Sequence, residues 1–107
     1  MNNERLKGMI GLAIKAGKTL SGAFAVEGAV GRGKARLAII DGRASASKLK
    51  QFQLLCQRHG VKCVVLQDSG VLESLLGRDN RTVMAILDNN FATAIYELAN
   101  KNQGVQE

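Results

Sequence analysis

Apolar residues at Leu6, Met9, Ile10, Ala13 and Ile14 recur at the spacing of one helix face. The pattern predicts an amphipathic helix over Met1–Lys15, with Gly17 as its stop. A second, shorter helix is expected from Ala23 to Arg32, ended by Gly33. The run Ala35–Ile40 then turns continuously apolar, as a strand does when both its faces are covered. Ser45 or Ser47 can cap the next helix, which carries Leu49, Phe52, Leu55 and Cys56 on one face to about His59. Gly60 ends it, and Val61–Leu66 reads as another buried strand. Asp68 or Ser69 caps a short helix ending at Gly77, followed by the charged loop Arg78–Arg81. Thr82–Leu87 is a further strand. A last helix over Asp88–Asn100 turns Phe91, Ala94, Ile95 and Leu98 inward.

Strands that alternate with helices predict an α/β fold with helices on both faces of the sheet. Proline is absent, no composition break suggests a linker, and no internal repeat is visible. Residues 1–107 are therefore expected to form one domain, with a frayed tail over Lys101–Glu107.

Charge adds a direction to this picture. The 107 residues carry 15 Lys plus Arg against 9 Asp plus Glu, a net +6. Up to Lys50 the cations are Arg5, Lys7, Lys15, Lys18, Arg32, Lys34, Arg36, Arg43, Lys48 and Lys50, and the acids only Glu4, Glu27 and Asp41. The remainder of the chain is close to neutral. A basic half of this kind fits a polyanion partner. The longest apolar stretches are a few residues, too short for a signal peptide or a membrane span, so a cytoplasmic protein is expected. Cys56 and Cys63 stand in apolar surroundings and read as small buried hydrophobes in a reducing compartment. With His59 as the single histidine, the ligands for a metal site are lacking, and no cofactor is expected.

Catalytic signatures are weak. Gly11 and Gly17-Lys18-Thr19 imitate a phosphate-binding P-loop, but five residues separate the glycines where that motif has four. Gly11 also falls inside a predicted helix rather than after a strand. His59 sits at a helix end, where a cation suits the dipole, and no serine or cysteine nucleophile signature surrounds it. Asp41 and Asp88 each follow a strand, a place where α/β enzymes put catalytic groups. Asp also serves there as an ordinary turn or cap residue. No enzymatic activity is expected.

The turn Gly31-Arg32-Gly33-Lys34 offers backbone amides and two cations in four residues. Lys15, Lys18 and Arg43 can join it if the first helix ends near the same edge. Such contacts hold phosphates without reading sequence; the same turn can also be no more than a solubilising one. Only Phe24, Phe52, Phe91 and Tyr96 are aromatic, too few for the multi-aromatic platform of many single-strand binders. Phe24, beside Gly22 at the start of the second helix, is expected to be partly exposed.

The segments LKGMIGLAIKAGKTLSG, GAVGRGKARLAIIDGRAS and VLESLLGRDNRTVMAILDNNFATAI resemble the ribosomal kink-turn-binding proteins of the archaeal L-seven-Ae type. The likeness is closest to their small bacterial YlxQ-type members and runs from about Leu6 to Leu98. It implies a three-layer α-β-α sandwich around a four-stranded mixed sheet, and RNA binding without catalysis. It further implies RNA contacts from the start of the second helix, from the loops beside it, and from the loop before the last strand. Gly22 matches the family's loop glycine. Phe24 stands where the family has Asn, Ala25 where it has Glu, and Gly28 where it has Lys. Arg43 replaces a usual acid, and Glu73 a usual glycine. Phe24 and Ala25 cannot make the hydrogen bonds with which Asn and Glu read sheared G·A pairs, but Phe24 can stack on an unpaired base.

The expected partner is thus structured RNA, a kink-turn or ribosomal RNA, with ribosome association possible and neither membrane nor metal involved. The residues expected to bind it at one edge of the sandwich are Lys15, Lys18, Gly22, Phe24, Ala25, Gly28, Arg32, Lys34, Arg43, Arg78 and Arg81. The alternative is a protein-interaction module that keeps the fold without specific RNA recognition, for which an apolar helix start would serve as a docking surface.

Overall fold

A computed structural model describes residues 3–67, 71–77 and 82–103. Within them the order is α1 (Asn3–Lys15), β1 (Thr19–Ser21), α2 (Ala23–Gly31), β2 (Leu37–Asp41), α3 (Ala46–His59), β3 (Cys63–Leu66), α4 (Val71–Leu76), β4 (Val83–Ile86) and α5 (Asn89–Gln103). The four strands form one mixed sheet in the order β1-β4-β2-β3. β2 and β3 are parallel, with Ala38 opposite Cys63, while β4 runs antiparallel to both β1 and β2.

Alternation along the two interior strands builds the layers, because successive side chains leave a strand on opposite faces. Leu37, Ile39, Met84 and Ile86 pack with Leu6, Ile10 and Ala13 of α1, with Leu72 of α4, and with Ile95 and Ala99 of α5. Ala38, Ile40, Val83 and Ala85 pack with Val26, Ala29 and Val30 of α2 and with Phe52 and Cys56 of α3. The result is a three-layer sandwich. The small residues Ala38 and Ala85 sit paired on β2 and β4 and let α2 and α3 approach closely.

The predicted strand over Ala35–Ile40 is confirmed as an interior strand and is buried at every position of β2. β3 differs from expectation. It lies at the edge of the sheet, with Cys63 and Val65 only half-buried. β1 is absent from the hydrophobic pattern altogether, because Thr-Leu-Ser is too short to alternate and all three residues are half-buried. α5 continues to Gln103, through the first residues of the expected tail, while residues 104–107 lie outside the described residues. So do Asp68 and Ser69, the expected caps of α4.

Asp41, 1% exposed at the end of β2, takes over a capping role. Its Oδ1 accepts from the Arg43 backbone N–H at 2.9 Å and its Oδ2 from that of Leu72 at 3.2 Å. One buried carboxylate thereby ties the strand to its own turn and to the first turn of α4. Gly42, between them, has no room for a side chain: a Cβ there would stand 2.6 Å from the Leu66 carbonyl oxygen. Cys56 and Cys63 carry free thiols, one buried and one half-buried. The hydrogen bond they share, with burial, raises the Cys63 thiol well above its ordinary pKa.

Candidate nucleic-acid interface

Because β1, β2 and β3 run the same way and β4 runs against them, the sandwich has two distinct ends. At the carboxyl end lie the exits of β1 and β2 and the entrance of β4: Gly22 N–H donates to the Val83 carbonyl and Asp41 N–H to that of Thr82. At the amino end lie the strand entrances: Leu87 N–H donates to the Lys18 carbonyl, Arg36 N–H to that of Ile86, and Ala38 N–H to that of Lys62.

The carboxyl end holds Gly22, Phe24, Ala25 and Arg43 of the expected site. Gly22 is buried and caps α2 at φ 95° and ψ 150°, a conformation open essentially to glycine alone. Having no side chain, Gly22 makes no side-chain cap hydrogen bond to the start of α2. Phe24 projects from this first turn and is 89% exposed, far more than the partial exposure expected. Arg43 is exposed on the turn that Asp41 holds.

Gly28 lies one helical turn beyond Phe24 and Arg32 one turn beyond that, so the three share a face of α2. The Arg32 guanidinium folds back over Gly28, its Nη1 standing 3.0 Å from where a Cβ would be. Phe24, Gly28 and Arg32 with Leu20, Ala25 and Glu27 line a groove of about 500 Å³. The Glu27 carboxylate accepts a 2.7 Å hydrogen bond from Gln51 of α3. A ring, a gap and a planar cation thus follow one another along the helix. The family's Lys position is empty in this chain, and the cation four residues on supplies charge over it.

Lys15, Lys18 and Lys34 are exposed at the amino end, across the sandwich from Gly22 and Arg43. Lys15 and Lys18 lie at the same end as the Gly31–Lys34 turn, and Arg43 lies at the other. The nine described residues of the expected site do not share one edge, because α2 spans the sheet and carries its start and its end to opposite sides. Arg78 and Arg81 lie outside the described residues. Two cations of the amino end, Arg36 and Lys62, were missed as site candidates. The Lys62 Nζ lies 4.6 Å from the centre of the Tyr96 ring, and both residues line a hollow of about 830 Å³ against α5. A signal for them was present, since Gly17-Lys18, Gly33-Lys34-Ala35-Arg36 and Gly60-Val61-Lys62 each put a cation between a glycine and a strand.

The candidate catalytic acids have structural roles. Asp88 accepts from the Phe91 N–H at 3.0 Å and so caps α5. Asp41 is the buried tie described above, and His59 closes the exposed last turn of α3. Among the described residues no group of His, Cys, Asp and Glu could hold a metal ion. No helix among them is long and apolar enough to cross a membrane.

No family model matches the chain. It is 28% identical over 97 residues to the RNA-binding protein YlxQ of Enterococcus faecium, covering 91% of this chain and 93% of that protein. It is also 28% identical over 90 residues to the RNA-binding protein YlxQ of Bacillus subtilis, covering 84% and 90%. Among solved structures it shares its fold with a protein of unknown function from Bacillus halodurans, at a TM-score of 0.83, 24% identity and coverage of 92% and 99%. A 15.5kD RNA binding protein of Giardia lamblia has the same fold at a TM-score of 0.70, 22% identity and coverage of 97% and 92%. With its glycine-capped α2 and its buried β2 in this frame, the chain is similar along most of its length to two RNA-binding YlxQ proteins.

Proposed function

We propose that this is a non-catalytic, cytoplasmic RNA-binding protein that grips structured RNA with the carboxyl end of its sandwich. The observation that carries the reading is the exposed Phe24 ring on the glycine-capped first turn of α2. An 89% exposed phenylalanine gains nothing from the fold, and its neighbours are suited to a nucleotide. N–H groups at a helix start donate to a phosphate, the ring stacks on a base, and the Arg32 guanidinium beyond Gly28 lies against the same groove. Arg43 supplies a further phosphate contact. The loop before β4, with Arg78 and Arg81, completes the grip in this reading. Stacking on an extruded base takes the place of the hydrogen bonds that Asn and Glu make to G·A pairs. Kink-turn or ribosomal RNA is the partner class this reading favours, with association with the ribosome as its setting.

Titration of the protein with a kink-turn RNA and with a version lacking the G·A pairs, each at low and moderate salt, tests it. Binding to both that weakens steeply with salt is the expected result. Tight binding to the intact kink-turn alone would mean that G·A recognition survives Phe24 and Ala25. No binding to either RNA at low salt would sink the proposal and favour a protein-interaction module docking through the apolar groove of Leu20, Phe24 and Ala25.

A further inference from the structure

The amino end of the sandwich is built three times over from the same parts. α1, α2 and α3 each run out into a left-handed glycine, Gly17 at φ 73°, Gly33 at φ 74° and Gly60 at φ 69°. Each connection then places a cation at a strand entrance: Lys18 before β1, Arg36 before β2 and Lys62 before β3. All three side chains belong to exposed residues. Helix dipoles account for cations in a last turn, such as Lys15 and Arg58. They give no reason for charge beyond the glycine, where these three stand.

The sheet order sets their spacing. Lys18 and Arg36 flank the end of β4, where the chain pairs with both, and Lys62 is one strand further on. At a strand separation of ~4.8 Å the three form a row about 15 Å long. Among the described residues none of the three is paired with a carboxylate. Arg36 Nη1 donates weakly to the Gly33 carbonyl, at 3.4 Å, and Lys62 rests over Tyr96. Glu97 is the acid lining the hollow beneath them, beside Asn89 and Thr93, whose neutral polar groups suit a sugar-phosphate chain.

We infer that the amino end is a second nucleic-acid site, in which Lys18, Arg36 and Lys62 hold successive phosphates of an RNA segment separate from the one at the carboxyl end. The chain then links two RNA segments through its sandwich.

The test mixes the protein with a donor-labelled kink-turn duplex and an acceptor-labelled plain duplex RNA at low salt. Energy transfer between the labels is expected with the wild type. The variant K18Q/R36Q/K62Q, confirmed as folded by its circular dichroism and thermal melt, is expected to lose that transfer by at least tenfold. The log–log salt slope for the plain duplex should fall by about 2–3 units, since each phosphate contact contributes just under one. Unchanged transfer or an unchanged slope in the variant would overturn the inference, as would a wild type that never takes up a second RNA. The variant F24A/R43Q separates this outcome from a failure at the carboxyl end. It should lose kink-turn affinity, while adding K18Q/R36Q/K62Q to it should still lower the plain-duplex salt slope by about 2–3 units.

Discussion

Phe24 has almost nothing to lose from truncation within the folded protein, being 89% exposed. Phe24→Ala should therefore leave the melting temperature unmoved while weakening RNA binding by about 1–3 kcal/mol, the range for one base stacked on an aromatic ring. A fall in both, followed by melting and titration on the same sample, would return Phe24 to a packing role. Gly28 makes the opposite case. A glycine inside α2 costs about 0.5–1 kcal/mol relative to alanine. The only close neighbour of an added Cβ would be the tip of the flexible Arg32 side chain. Gly28→Ala should thus raise stability by that amount and lower RNA affinity by displacing the guanidinium, a split that denaturant unfolding and titration together would reveal. The residue types at 24, 25 and 28 were legible in the sequence as departures from a family pattern. That Arg32 bends back over the gap left at 28 was not, because a side chain four residues away can equally extend into solvent.

At the scale of elements, the joint between β2 and α4 holds the turn that carries Arg43. Asp41→Asn keeps the shape of the side chain but weakens its two bonds to the backbone N–H groups of Arg43 and Leu72. A loss of about 1–3 kcal/mol is expected from leaving buried donors poorly satisfied. Gly42→Ala should be comparably damaging for a steric reason, because backbone of β3 stands where the methyl would go. Gly8→Ala, in open space on α1, is the matched control and should stabilise. Thermal melts of the three variants decide this, at roughly 4–8 °C per kcal/mol for a chain of this size. The helices could be read in advance because burial on one face imposes a period of 3.6 on side chains such as Leu6 and Ile10, and the three longer strands because burial on both faces makes short continuous apolar runs such as Leu37–Ile40. β1 escaped because three residues at a sheet edge carry no period, and Asp41 escaped as a cap for α4 because its partner Leu72 lies 31 residues away.

For the whole molecule, strand direction governs where the charge goes. The basic half of the chain was visible as a list of residues, yet its division between two ends depends on β4 running against its neighbours, which no local pattern encodes. Lys18 and Arg43 thus face opposite ways on a body only 32 × 29 × 29 Å across. The structure also places a reporter at one of these ends. Tyr96 is the single tyrosine of a chain without tryptophan, and it lies beneath the Lys62 ammonium in the amino-end hollow. Ultraviolet emission from this protein therefore comes essentially from one ring. RNA arriving beside Lys62 should alter that emission, whereas RNA held at Phe24 should leave it dark to the event, so the unlabelled protein carries its own optical record of which end is occupied.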